Sequence, residues 1–333
     1  MKPAVSTPSN LRSQAGGWEG AWLRSAPIQW GAFFILPLAI AGYWLYSKLT
    51  ILPAEAWSWN IYPGALIAAM VLVPVNWWLE SLKWAELLPW APLGRRLREV
   101  LYGVAWSMIG PLRLGAGIGR VSAVKPNERN IALRAFGTAS VAQWWCTITA
   151  AAFALLCSGY FIAAGTIVVI SAMTMALYLG WSPSFWSHLK NLRFFKHWGL
   201  SRKIATVRRQ RALNLSIARF FVMLFQFILV LNAFGHLESV TYNVERFFVQ
   251  GQGVALTWGL TSLAPLPVFG DLGLREAAAI AAIPAPTAQD LTAIVAATLT
   301  LWVINLFLPA MTGLIWHTSA KRKREKRRAT LGA

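Results

Sequence analysis

The chain of 333 residues has few of the side chains on which metal centres and disulfides depend. It contains two cysteines and four histidines. Cys146 and Cys157 lie in one apolar stretch, and on a helix their spacing separates them by roughly 16 Å along the axis, too far for a disulfide. The histidines are scattered, and the sequence has no Cys/His cluster with the spacing of metal ligands. We therefore expect no metal site and no cofactor.

Charged side chains are scarce as well. Only 13% of the residues are charged, whereas 56% are hydrophobic, and the mean hydropathy is +0.49. A chain of this composition has too little polar surface to cover a water-soluble globule, so we expect an integral membrane protein. The net charge of +19 is concentrated in loops and in the tail, between apolar runs. That distribution indicates membrane topology rather than a nucleic-acid partner.

Long apolar runs are abundant, and a membrane-spanning helix needs about 20 mostly apolar residues. Six runs meet this requirement: 28–49, 61–82, 135–157, 159–181, 214–235 and 290–316. The first run begins too late for an ordinary cleaved signal peptide, so we expect its helix to remain in the mature protein. The predicted organisation is a polar segment 1–27, one transmembrane domain 28–317 and a basic tail 318–333.

Two further apolar stretches, 100–120 and 247–284, are too broken to be ordinary spans. Glycines and prolines interrupt them, and we place the hairpin breaks at Pro111, Pro265, Pro267, Gly270 and Gly273. The two stretches also share a short similarity, because residues 107–112 (SMIGPL) resemble residues 261–266 (TSLAPL). This similarity favours an internal repeat.

Lysine and arginine near membrane ends are retained in the cytoplasm, so their distribution orients the chain. The basic segments are 83–99, 120–134, 182–213 and the tail, and we place them and both termini in the cytoplasm. The connections around 50–60 and 236–246 are poor in basic residues and are expected outside. Each broken stretch must then return to the side from which it entered. The predicted fold is an all-α polytopic membrane protein with about six full transmembrane helices and two oppositely oriented re-entrant hairpins, which form an inverted repeat with a site at its interface.

Charged side chains within apolar sequence are costly and mark candidate sites. These residues are Glu80, Lys83, Arg113, Arg120, Asp271, Arg275 and Glu276. The last three have a second interpretation, an ion network that only locks the hairpin. Asn76 and Glu80 lie four residues apart on one helix face, with Lys83 within a turn. This trio is either a proton-coupling site or a local ion pair at the membrane interface.

The glycines of residues 115–120 (GAGIGR) allow a backbone to approach a ligand closely. A helix starting after this string would direct free amides at an anion such as phosphate, with Gly115 and Gly117 allowing the close approach, and Arg113 and Arg120 would pair with the anion. The string is neither a Walker motif nor a Rossmann fingerprint. The alternative interpretation is a tight hairpin turn or close helix packing.

Three segments resemble the transmembrane region of lysylphosphatidylglycerol synthases, a flippase-like domain that also occurs as a free-standing membrane protein. They are residues 76–88 (NWWLESLKWAELL), residues 111–115 (PLRLG) followed by Arg120, and residues 267–276 (PVFGDLGLRE). The resemblance implies a lipid substrate and the bacterial inner membrane. Ala116 and Asp271 depart from the family pattern, and the sequence has no polar domain large enough for the soluble aminoacyl-transfer domain. Lysyl transfer is therefore not expected.

These features lead to two functional hypotheses. The first is a lipid translocase or lipid-binding transporter that holds an anionic phospholipid or polyprenyl-phosphate headgroup near Arg113, Arg120 and Arg275. The second is a non-transporting scaffold whose partner is an envelope glycosyltransferase or lipid-modifying enzyme. An intramembrane enzyme is not expected, because no Ser/His, His/Glu or paired-Asp constellation is present.

Overall fold

In the computed structural model, the described residues are 52–89, 92–109, 114–179, 204–236, 244–263 and 272–331, with Tyr43, Tyr46, Ser47 and Thr50. Within these ranges the chain is helical and contains no strand. The helices are α1 (Pro63–Leu87), α2 (Leu93–Ile109), α3 (Gly115–Ala123), α4 (Arg129–Cys157), α5 (Phe161–Leu179), α6 (Thr206–Ala233), α7 (Val244–Leu263), α8 (Leu274–Ala282), α9 (Ala288–Trp302) and α10 (Leu308–Leu331). Short 3₁₀ helices occupy Ala54–Trp57 and Pro126–Glu128, and a π-helical turn, Val303–Phe307, joins α9 to α10.

Five helical segments are long and apolar enough to cross a membrane. They are Pro63–Leu87, Pro126–Cys157, Phe161–Leu179, Thr206–Ala233 and Ala288–Ser319. Each corresponds to one of the predicted spans, whereas the predicted span 28–49 lies outside the described residues. The chain is therefore an all-α protein with the character of a multi-pass membrane protein.

Local sequence explains where several of these helices begin. Pro63 opens α1 at a position where its missing N–H is not needed. Thr287 and Asp290 cap α9 reciprocally, since the Asp290 N–H donates to the threonine hydroxyl at 3.0 Å and the Thr287 N–H donates to the carboxylate at 3.2 Å. Gly159, with φ of 82°, makes the reversal between α4 and α5.

The two broken stretches each form a pair of helices that pack on one another. The first pair is α2 with α3, and the second is α7 with α8. The helices extend beyond the predicted bounds, because α2 begins at Leu93 and α7 at Val244. The breaks predicted at Pro111, Pro265, Pro267 and Gly270 lie outside the described residues. The re-entrant arrangement and the inverted repeat remain predictions.

The helices α1 and α6 pack along each other in the middle of the bundle, and α9 lies against α6. Buried side chains of α1 and α2, such as Trp84 and Val104, form one apolar cluster. Phe227 and Leu231 of α6 form a second cluster with α9. These two clusters flank the buried polar residues described below.

The connecting segments meet at two ends of the bundle. We define the Trp59 end as residues 52–62, 234–236 and 284–292. At this end the Trp59 indole donates to Thr292 Oγ1 at 3.0 Å, and the Tyr62 N–H donates to the Ala233 carbonyl at 2.9 Å. The Arg211 end comprises residues 86–89, 92–98, 204–211 and 316–317. There Arg211 lies 3.7 Å from the Glu86 carboxylate.

Candidate functional site

A single buried carboxylate, that of Glu80, contacts three cationic side chains. Its Oε2 lies 2.7 Å from Lys83 Nζ and 3.0 Å from Arg219 Nη1, while Oε1 lies 2.9 Å from Arg120 Nη2. The side chains of Glu80 and Lys83 are only 5% and 2% exposed, and those of Arg120 and Arg219 are 8% and 14% exposed. We call these four residues the Glu80 cluster.

Three helices bring the Glu80 cluster together. Glu80 and Lys83 lie one turn apart on α1, Arg120 lies near the end of α3, and Arg219 lies within α6. In the cluster three positive charges face one negative charge. The cluster as described therefore holds an excess of positive charge inside the bundle. Buried charge is costly unless it is paired.

Aromatic rings and a glycine position Arg120 in the cluster. Its guanidinium lies 5.5 Å from the ring centroid of Trp84 and 5.7 Å from that of Phe136, distances at which the ring faces attract a cation. A Cβ on Gly103 of α2 would lie 2.6 Å from Arg120 Cγ. Gly103 therefore leaves the space through which the arginine side chain reaches Glu80.

Amide side chains extend the network from Arg219 towards α9. Arg219 Nε donates to Asn76 Oδ1 at 2.7 Å, and its Nη1 donates to Gln143 Oε1 at 3.2 Å. Asn305 of the π-helical turn lies 3.4 Å from Asn76 and donates to Gln226 Oε1 at 2.8 Å. Because every link is a polar contact between different helices, the network fixes the relative positions of α1, α4, α6 and the π-helical turn.

A cavity of about 200 Å³ adjoins this network. Its polar lining consists of Asn76, Gln143, Thr147, Arg219, Thr261, Ser262, Arg275, Thr298 and Asn305. Arg219 comes from α6 and Arg275 from α8, so two guanidinium-bearing side chains from different helices line one space. Phe220, Met223, Phe227 and Trp258 contribute to its apolar part. A cavity with convergent polar groups within an apolar surround is typical of a ligand site.

The beginning of α8 places Arg275 at this cavity. Gly273 precedes the helix with φ of 84°, a conformation that favours glycine. The carboxylate of Glu276, which is fully buried, accepts the backbone N–H of Gly273. Glu276 therefore caps α8 and fixes the turn that carries Arg275.

The predicted site residues fall into five groups. Asn76 and Arg275 line the cavity. Glu80, Lys83 and Arg120 belong to the Glu80 cluster. Gly273 and Glu276 shape the start of α8. Arg113, Asp271 and the predicted breaks other than Gly273 lie outside the described residues. Gly115 and Gly117 are buried, and a Cβ on Gly117 would lie 2.6 Å from the Phe136 ring. This contact favours the close-packing interpretation of the glycine string.

Sequence analysis missed Arg219, the residue that joins the cluster to the cavity. It lies inside the apolar run 214–235, where a charged residue marks a candidate site, but it was not among the charged residues singled out from the sequence. Gln143 and Asn305 were also missed. A neutral amide within a span carries little sequence signal until its partner is known.

Two further findings concern metals and related proteins. The described residues include no group of three or more His, Cys, Asp or Glu side chains that could hold a metal ion. Comparison of the chain with family models, with curated proteins and with solved structures finds no match. The functional assignment therefore depends on the residues of the site itself.

Proposed function

We propose that this protein is a lipid translocase that binds the anionic headgroup of a membrane lipid in the cavity between Arg219 and Arg275. The observation that supports this most directly is the excess of buried positive charge in the Glu80 cluster, next to a cavity that Arg219 lines. A negatively charged group in the cavity would offset this charge. Guanidinium groups suit phosphate in particular, because they donate paired hydrogen bonds to its oxygens.

The size of the cavity supports a headgroup rather than a whole lipid as its occupant. Its volume of about 200 Å³ is below the roughly 300–1,000 Å³ of sites that enclose drug-sized ligands. A phosphate-bearing headgroup is compatible with that volume, whereas the hydrocarbon chains of a lipid must lie elsewhere. The resemblance to the flippase-like transmembrane region independently favours a lipid as the source of the anion.

In this proposal the acidic residues position the arginines. Glu80 holds Arg120 and Arg219, and Glu276 caps the helix on which Arg275 lies. The sequence has no Walker motif, so we propose that headgroup movement is passive or coupled to an ion. The location that the resemblance favours is the bacterial inner membrane.

Headgroup transfer in proteoliposomes tests this proposal. We expect Arg275→Ala to reduce transfer of a fluorescent phosphatidylglycerol between leaflets by at least about tenfold, because a hydrogen bond to a charged group is lost. Arg275→Lys should retain part of the activity. Arg211→Ala is the matched control, since Arg211 is 64% exposed and pairs only loosely with Glu86.

Unchanged transfer by Arg275→Ala would reject the proposal. Absence of transfer by the wild-type protein, together with stable co-purification of an envelope enzyme, would instead favour the scaffold hypothesis. In that case Arg275→Ala should co-purify with the enzyme as well as the wild type does.

A further inference from the structure

An apolar groove of about 370 Å³ lies beside the charged cavity. Its walls come from α1, α2 and the segment that joins α9 to α10. Met70 and Val73 line it from α1, Leu97 from α2, and Ile304 and Leu308 from the π-helical turn and α10. Met70 is 50% exposed and Leu308 is 48% exposed, so the groove opens at the surface of the bundle. A groove of this kind takes a hydrocarbon chain rather than a polar ligand.

The groove and the cavity share a wall. Trp77 lines both spaces, and the π-helical turn contributes Ile304 to the groove and its neighbour Asn305 to the cavity. The Arg219 guanidinium lies 5.8 Å from the ring centroid of Trp77. π-helical turns occur frequently at functional sites, where they change which side chains a helix presents.

We infer that the groove and the cavity form one binding site for a single amphiphile. A hydrocarbon chain occupies the groove, the anionic head occupies the cavity, and Trp77 contacts the junction between them. This inference rests on the proposed function and makes it more specific, because it requires a substrate with a long chain close to its negative charge.

Two probes separate the groove from the cavity. The first is long-chain phosphatidylglycerol, measured as lipid retained by the purified protein, and the second is water-soluble glycerol 3-phosphate, measured by calorimetry. Thr312→Trp fills the groove, because Thr312 lines it on an exposed part of α10. Leu314→Trp is the matched control, since Leu314 is 45% exposed and faces away from Thr312, about 200° around the same helix.

We expect Thr312→Trp to weaken phosphatidylglycerol retention by about tenfold, because overfilling a packed site typically has an effect of this size. It should bind glycerol 3-phosphate as the wild type does, and Leu314→Trp should leave both probes unaffected. Met70→Trp repeats the test from the opposite wall. If both groove variants retain the lipid as well as Leu314→Trp does, the inference is wrong and the proposed function stands. If the wild-type protein binds neither probe, the proposed function itself fails.

Discussion

Glu80 is the buried residue that every other member of the Glu80 cluster contacts. Its carboxylate contacts one cation from its own helix and two from other helices. Removing one member of a buried ion pair is far more costly than removing an exposed pair, because the remaining charges stay buried without a partner. We therefore expect Glu80 to contribute both to stability and to the positions of the arginines.

Glu80→Gln tests this dependence with almost no change in volume. We expect the free energy of unfolding to fall by about 3–5 kcal/mol, measured by thermal or denaturant unfolding in detergent. Glu86→Gln is the control, because Glu86 is 32% exposed and its partner Arg211 is more exposed still. The control should change stability by no more than about 0.5 kcal/mol. Equal effects of the two variants would contradict the assignment.

His236, at the Trp59 end, gives the protein a pH dependence of known sign. Burial lowers the pKa of His236 below 6.5, and nearby Arg246 lowers it further, although a hydrogen bond to the Pro284 carbonyl and the charge of Asp290 act in the opposite direction. The unfolded chain therefore binds a proton at a higher pH than the folded protein does. Stability is unaffected by this group above about pH 6.5 and falls as the pH drops from there towards the folded-state pKa.

Unfolding measured between about pH 7.5 and pH 5 tests this prediction. The wild-type protein should lose stability on acidification, and His236→Asn should lose less. A pH dependence that is identical in the two proteins would show that other groups are responsible.

Part of the site could be predicted from single residues. The spacing of Asn76, Glu80 and Lys83 placed them on one helix face, and the structure confirms the Glu80–Lys83 contact at 2.7 Å. The two arginines that join this pair come from α3 and α6, and no local pattern specifies contacts between such distant positions. The interpretation of a merely local pair at the membrane interface was therefore incomplete.

The close packing of α2 on α3 depends on glycine. A Cβ on Gly119 would lie 2.9 Å from Gly103 Cα and 2.9 Å from the Trp106 side chain, closer than packed helices tolerate. The equivalent contact in the second pair is between Gly253 of α7 and Ile283, where a Cβ would lie 2.8 Å from Ile283 Cα. Both pairs thus use a glycine to bring two backbones together.

Gly119→Ala should separate α2 from α3 and lower the free energy of unfolding by about 1–3 kcal/mol. Gly137→Ala is the matched control, because Gly137 lies within α4 and a Cβ there meets nothing within 4 Å. That change should be neutral or stabilising by up to about 1 kcal/mol, since alanine favours the helix. A neutral Gly119→Ala in the same unfolding assay would overturn the close-packing account.

Hydropathy predicted the elements better than it predicted their ends. A span needs a long apolar run, and that requirement alone located five helices that the structure describes. The runs ended too early or began too late where helices continue into polar sequence, as α6 does by beginning at Thr206 rather than at 214. The π-helical turn at Val303–Phe307 lies inside the apolar run 290–316, and its one polar residue, Asn305, does not by itself predict a π-helical turn.

The two ends of the bundle differ in charge in the way that the positive-inside rule predicts for a membrane protein. The connections predicted to lie outside meet at the Trp59 end, where Trp59 contacts Phe234 with ring centroids 5.4 Å apart. Segments predicted to be cytoplasmic meet at the Arg211 end, where Arg98 lies over the Trp316 ring. We therefore expect the Arg211 end to face the cytoplasm.

Thiol labelling of intact cells tests this orientation. In a Cys157→Ser background, Ala54→Cys should react with a membrane-impermeant maleimide from outside. Arg211→Cys should react only after the membrane is permeabilised. The reverse pattern would invert the topology and with it the side from which each helix pair enters.

In our proposal, Arg219 and Arg275 hold an anionic lipid headgroup inside the bundle. Native mass spectrometry of the purified protein tests it most directly, with Arg275→Ala beside the wild type and Arg211→Ala as the control. We predict a co-bound anionic lipid on the wild type and on Arg211→Ala, and its loss from Arg275→Ala. Equal retention by all three proteins, or no lipid on the wild type, would contradict the claim.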